Sequence, residues 1–136
     1  MSYKVKFDGA SKGNPGPASF GAIMYKDGER CTSAKMYIGE TTNNVAEYCG
    51  FISAITLALR REREMENLRI EGDSRLVLNQ VLGTWKCNSE ILQPYNRRAK
   101  ELVKKLKVPY TWSWIPRAEN SEADALANQA LANVSN

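Results

Sequence analysis

The chain has 136 residues, 43% hydrophobic and 25% charged, with a formal net charge of +4. That length suits a single core-forming domain, expected over residues 1–136, and no apolar run approaches the roughly eighteen residues of a membrane span. Three widely spaced cysteines (Cys31, Cys49, Cys87) suggest neither a disulfide framework nor a zinc site, and the absence of histidine excludes any imidazole-paired nucleophile, so a metal must be held by oxygen.

The N-terminus, MSYKVKFDG, enters strand pattern at once without the charged and apolar regions of a secretory signal, and an intracellular, cytoplasmic chain is expected. Tyr3, Val5 and Phe7 alternate with Lys4, Lys6 and Asp8, the period of a half-buried strand that ends at Asp8. GNPGP reads as loop. The segment ASFGAIMYKDGERCTSAKMYIG reads as two strands joined at Asp27-Gly28, a hairpin signal, so three antiparallel strands are expected in a row.

From Thr42 the period changes. Val45, Tyr48, Cys49, Ile52, Ile55, Thr56 and Leu59 fall at helical spacing, predicting a helix to about Arg63 that Asn44 can cap. NLRIEGD is a fourth strand. A helix over Ser74 to about Leu82, stopped by Gly83, and a longer one over about Ser89 to Leu106 come next. YTWSWI is the fifth strand, with Trp112 and Trp114 expected in the core. The last helix has a Ser121 or Asn120 cap and apolar positions at Ala123, Leu126, Ala127, Ala130, Leu131 and Val134. The order βββαβααβα is an α/β layout, a five-stranded mixed sheet flanked by helices.

Charge is uneven along this string. Lys86, Arg97, Arg98, Lys100, Lys104, Lys105 and Lys107 face only two acids, Glu90 and Glu101, in the same segment. A solvated helix face and a polyanion-binding surface both account for that. Trp85 beside Lys86 either stacks on a sugar or base or fills a helix junction in the core.

Mg²⁺ takes oxygen ligands, usually a few carboxylates. Four acids stand at element ends: Asp8, Glu47 in the first turn of the long helix, Asp73, and Asp124 in the first turn of the last helix. Three have helix-capping alternatives, because Glu47 follows Asn44 by three, Asp124 follows Ser121 by three, and Asp73 precedes a helix start. Asp8 has only an Asp-Gly turn as its alternative, and the chain runs on through Ser11, Lys12 and Gly13 instead of returning at once.

DGASKGNPGPASFGAI, TTNNVAEY, EGDSRLVLNQ and ENSEADALAN, in that order and on those elements, resemble the type 1 ribonuclease H family over nearly the whole chain. The resemblance implies that Asp8, Glu47, Asp73 and Asp124 are catalytic acids holding two Mg²⁺ ions, with Mn²⁺ a possible substitute. It also implies an endonuclease that cuts the RNA strand of RNA/DNA hybrids, leaving 5′-phosphate and 3′-hydroxyl ends. Asn14, Asn43 and Asn44 match positions that touch RNA 2′-hydroxyls, and Thr42 one that holds a DNA phosphate; turn and cap chemistry remains compatible with all of these. Trp85 and Lys86 join the substrate-binding set. No obligate protein partner is evident, and a monomer is expected.

The chain departs from the family pattern in places. The loop IPRAENSEAD lacks the histidine many members carry, and Arg117 is the nearest replacement, able to hold a phosphate but not to act as a base. GTWKCNSEIL leaves no room for the basic insertion of some bacterial relatives, Glu40 stands where some have an arginine, and Glu71, on the strand face of Asp73, is expected to be an exposed strand residue, with an influence on metal affinity as the alternative. A hybrid-binding module without catalysis is the alternative from another class. A phosphate-loop reading of SKGNPG fails for want of a GK[ST] ending and a following helix.

Overall fold

The computed structural model describes residues 1–134, and Val134, the last apolar position expected of the final helix, has its side chain outside the described residues. The strands are β1 (Ser2–Ser11), β2 (Gly16–Lys26), β3 (Glu29–Thr41), β4 (Asn67–Gly72) and β5 (Tyr110–Trp114). The helices are α1 (Asn43–Arg60), α2 (Arg75–Val81), α3 (Gln93–Lys104) and α4 (Ser121–Val134). One sheet runs in the order β3-β2-β1-β4-β5. The first three strands are antiparallel, whereas β4 and β5 join β1 in parallel. The expected element order is therefore the observed one.

Alternation in β1 puts Tyr3, Val5 and Phe7 on one face, where they meet α1 and, beyond it, α2 and α3 in the main core. Phe7 and Phe51 pack edge to face with ring centroids 5.3 Å apart. On the other face a smaller cluster, Ile23, Tyr25, Ala123 and Leu126, seats α4 against β2. The Asp27-Gly28 hairpin forms as expected, with φ positive at both residues (51° and 87°). Among the described residues no helix is long and apolar enough to cross a membrane.

Several local expectations are corrected. β1 does not stop at Asp8: it stays paired with β2 as far as Ser11↔Ala18, and only its parallel pairing with β4 ends, at Phe7↔Gly72. Asp8 thus marks where one neighbouring strand gives out. Gly16 and Pro17 already belong to β2, so the turn is shorter than GNPGP. Thr42, not Asn44, caps α1, its hydroxyl accepting from the Val45 N–H, and Ser74, not Asp73, caps α2 through the Val77 N–H. The first helix ends at Arg60 because the Arg61 N–H turns back to the Ala58 carbonyl, tightening the last turn. Ser89 opens a turn instead of α3.

Glu71 is buried rather than exposed, because Arg69 Nε lies 2.6 Å from it and Lys4 Nζ 3.7 Å. Trp112 packs against the core as expected, but Trp114 is 37% exposed at the sheet edge.

Two glycines let α1 lie directly on β1. A Cβ on Gly9 would fall inside contact distance of the Ala46 and Glu47 backbone, and one on Gly50 would stand 2.8 Å from the Asp8 carbonyl oxygen. Neither obstacle is a flexible side chain, so the helix itself would have to move. Gly9→Ala is expected to destabilise the protein by about 1–3 kcal/mol, read from urea unfolding, as overpacking does. Wild-type stability in that variant would show that the helix can shift freely.

Candidate active site

The end of β1, the start of α1, the residue after β4 and the first turn of α4 open onto one cleft of about 420 Å³. Asp8, Glu47, Asp73, Asp124 and Arg117 all line it, with Asn43, Ser11 and Asn128. One carboxylate oxygen from each of Asp8, Glu47 and Asp73 lies within 4.8 Å of the others. Asp124 approaches from the opposite side of the sheet, within hydrogen-bond reach of Asp8.

Two of the three local alternatives, those for Glu47 and Asp73, do not use the acids as expected. Thr42 and Ser74 do the capping, and Glu47, in the second turn of α1, accepts instead from the Gly9 N–H, which also reaches Asp8 Oδ1 at 2.9 Å. Asn120 is not a cap either: its Nδ2 donates to the Phe7 carbonyl at 2.8 Å, fastening the approach to α4 onto β1 one residue before Asp8.

Burial raises the Asp8 carboxyl far above the ordinary carboxylate range, and the negative charges of Glu47 and Asp73 raise it further. Glu47 is raised by burial and by Asp73, with the Asp8 and Gly9 hydrogen bonds pulling the other way. Asp73 Oδ1 is buried and has no hydrogen-bond partner. A buried acceptor without a donor, beside acids that resist ionising together, is a donor set that fits a divalent cation: hard oxygens, excess negative charge and an oxygen that no protein donor takes up.

The other expected site residues divide. Asn14 and Asn43 are brought together, the Asn43 N–H donating to Asn14 Oδ1 at 3.0 Å, while Asn44 stands exposed beside them. Arg117 is 81% exposed at the cleft mouth, with Nη2 3.8 Å from Asp124 Oδ1. Trp85 is 49% exposed and Lys86 is exposed, both in the segment between α2 and α3 and apart from the acid cleft, which corrects the core placement weighed for Trp85. Asn128 was missed; it sits one turn after Asp124 on α4 and donates to the Asp124 carbonyl at 3.0 Å, a placement its four-residue spacing could have signalled. Trp114 was missed too, its indole N–H donating to the Asp73 carbonyl at 3.1 Å.

Residues 6–130 match the Reverse transcriptase-like family. The chain is 40% identical over 126 residues to Ribonuclease HI of Halobacterium salinarum, covering 92% of this chain and 62% of that protein; mycobacterial relatives are longer still, with 36% of their length covered. Among solved structures, RNase H1 from Halobacterium salinarum NRC-1 superposes with a TM-score of 0.89 at 38% identity, over 98% of this chain and 100% of that one. LC11-RNase H1, solved in complex with an RNA/DNA hybrid, gives a TM-score of 0.89 at 29% identity, over 98% and 99% of the two chains. Likeness this extensive, in sequence and in backbone together, means that the chain belongs to the type 1 ribonuclease H family.

Proposed function

We propose that this protein hydrolyses the RNA strand of RNA/DNA hybrids as an endonuclease, leaving 5′-phosphate and 3′-hydroxyl ends. The observation that carries the reading is the convergence of Asp8, Glu47, Asp73 and Asp124 on one cleft, with a buried Asp73 oxygen unpartnered. Family membership supports it, as does the neighbour solved with a hybrid.

In this reading the four acids hold two divalent cations, Mg²⁺ with Mn²⁺ as substitute. Such ions supply activation of the attacking water and stabilisation of the leaving 3′ oxygen. The chain's own groups position the substrate. With Oδ1 of Asn14 engaged by Asn43, the Asn14 NH₂ is the donor left for a 2′-hydroxyl. Thr42 accepts from Val45 with its oxygen, which leaves the hydroxyl hydrogen for a DNA phosphate. Asn43 and Asn44 complete the RNA-facing set, and Trp85 and Lys86 meet the hybrid outside the cleft. Arg117 steadies phosphate charge at the cleft mouth and moves no proton, since a guanidinium stays charged.

A labelled RNA/DNA hybrid with Mg²⁺ is expected to be cleaved, with single-stranded and double-stranded RNA left intact. Asp8→Asn is expected to lower the rate at least ~10²-fold, the loss that accompanies removal of a preorganised electrostatic group. Binding without cleavage by the wild-type protein would overturn the reading.

The raised carboxyls also predict how stability follows pH. A carboxyl whose folded-state pKa is raised favours folding while it is protonated; that contribution is complete below about pH 4, the ordinary carboxylate range, and is lost as pH climbs through the raised folded values. In EDTA, thermal melting is therefore expected to shift down between about pH 5 and about pH 8. Saturating Mg²⁺ should recover about 5 °C at the higher pH and less at the lower. An equal Mg²⁺ shift at both would count against mutual repulsion in the cluster.

Arg117→Ala is expected to lower kcat by about tenfold, as loss of a charge-assisted contact does, without abolishing cleavage. Full wild-type turnover in that variant would remove its assigned part.

A further inference from the structure

The exposed Trp85 and Lys86 stand in residues 82–92, a stretch with neither helix nor strand. A contact surface made of loop loses affinity to ordering unless something holds it beforehand. Beneath this loop lies a buried cluster of uncharged polar side chains. Gln80 of α2 donates Nε2–H to the Lys86 carbonyl at 3.2 Å, and its Oε1 accepts from the Tyr48 hydroxyl at 2.6 Å. Asn96 of α3 donates from Nδ2 to the Tyr48 oxygen at 3.1 Å and to the Gln80 carbonyl at 3.3 Å. Beside them Gln93 holds the Cys87 carbonyl at 3.3 Å, and the Trp85 N–H reaches the Asn79 carbonyl at 3.1 Å.

Gln80 and Asn96 are each only 6% exposed, and Tyr48 is fully buried. Aliphatic side chains would fill the same space without desolvating amides and a phenol. The polar groups do what aliphatic ones cannot: they grip the loop's carbonyls and join three helices. Tyr48 also follows Glu47 in α1, and α2 begins two residues after Asp73, so the loop is fastened to both elements next to the acids.

We propose that Gln80, Asn96 and Tyr48 are positioning residues that brace the Trp85–Lys86 loop as a preformed contact surface for one nucleic-acid strand of the hybrid. The inference rests on the functional reading above. Trp85 offers a flat face to a sugar or base, and Lys86 a charge to a phosphate.

The test is Gln80→Met, which keeps length and volume while removing both hydrogen-bonding groups, alongside the double variant with Tyr48→Phe, which removes the hydroxyl whose hydrogen would otherwise lose its acceptor. Amide hydrogen exchange over residues 84–88 is expected to speed up by about tenfold or more, while α1 and β1 stay protected. KM for a hybrid is expected to rise about tenfold, the loss of one or two buried hydrogen bonds, with kcat at saturation within about twofold of wild type. Unchanged exchange over residues 84–88, unchanged KM, or a fall in kcat at constant KM would each overturn the proposal. A wild-type protein that cleaves no hybrid would overturn the functional reading instead, and hydrogen exchange with hybrid-binding affinity would then decide the brace.

Discussion

The rest of the structure depends on holding like charges where they repel. Free in solution, Asp8, Glu47 and Asp73 would separate or pick up protons; here their oxygens are kept within 4.8 Å of one another in a partly dry cleft. No single contact does this. β1 carries Asp8 on a strand bonded to neighbours on both sides up to Phe7, α1 is pressed onto that strand at Gly9 and Gly50, and the β5 indole of Trp114 pins the Asp73 carbonyl. The fold absorbs the repulsion through the backbone, leaving the side chains available for a cation.

That arrangement creates a second electrostatic difficulty. An acidic cleft repels a polyanion, so attraction must come from elsewhere on the surface. The exposed cations of α3, including Arg97, Arg98, Lys100 and Lys104, lie outside the cleft, as does Lys86. On the functional reading, long-range attraction and bond cleavage belong to separate parts of the molecule. On that same reading, bound divalent ions would offset the negative charge of the cleft.

Much of this was legible because it is local. Period-two and helical spacing gave the element order, and Asp27-Gly28 gave the hairpin, since each signal lies within a few residues of the structure it predicts. The acids could be placed at element ends for the same reason. What escaped depends on contacts across the chain. Glu71 could not be known as buried without Lys4, which comes from another strand, and Asn120 could not be distinguished from a cap without the Phe7 carbonyl 113 positions away. Trp85 illustrates the limit: indoles usually fill cores, and nothing in its immediate neighbours marks this one as exposed. The brace of Tyr48, Gln80 and Asn96 was invisible altogether, because an amide side chain in a helix pattern carries no mark of what it faces.

The bond from the Asn43 N–H to Asn14 has a consequence for what the chain can tolerate. Turns between antiparallel strands ordinarily accept added or deleted residues, since little else touches them. This one does not have that freedom, although its residues are exposed: it is tied to the first residue of the helix that carries Glu47. A one-residue change of length at the tip would be felt four residues into α1. A stretch that looks like spare surface is tied through Asn43 to the cleft wall.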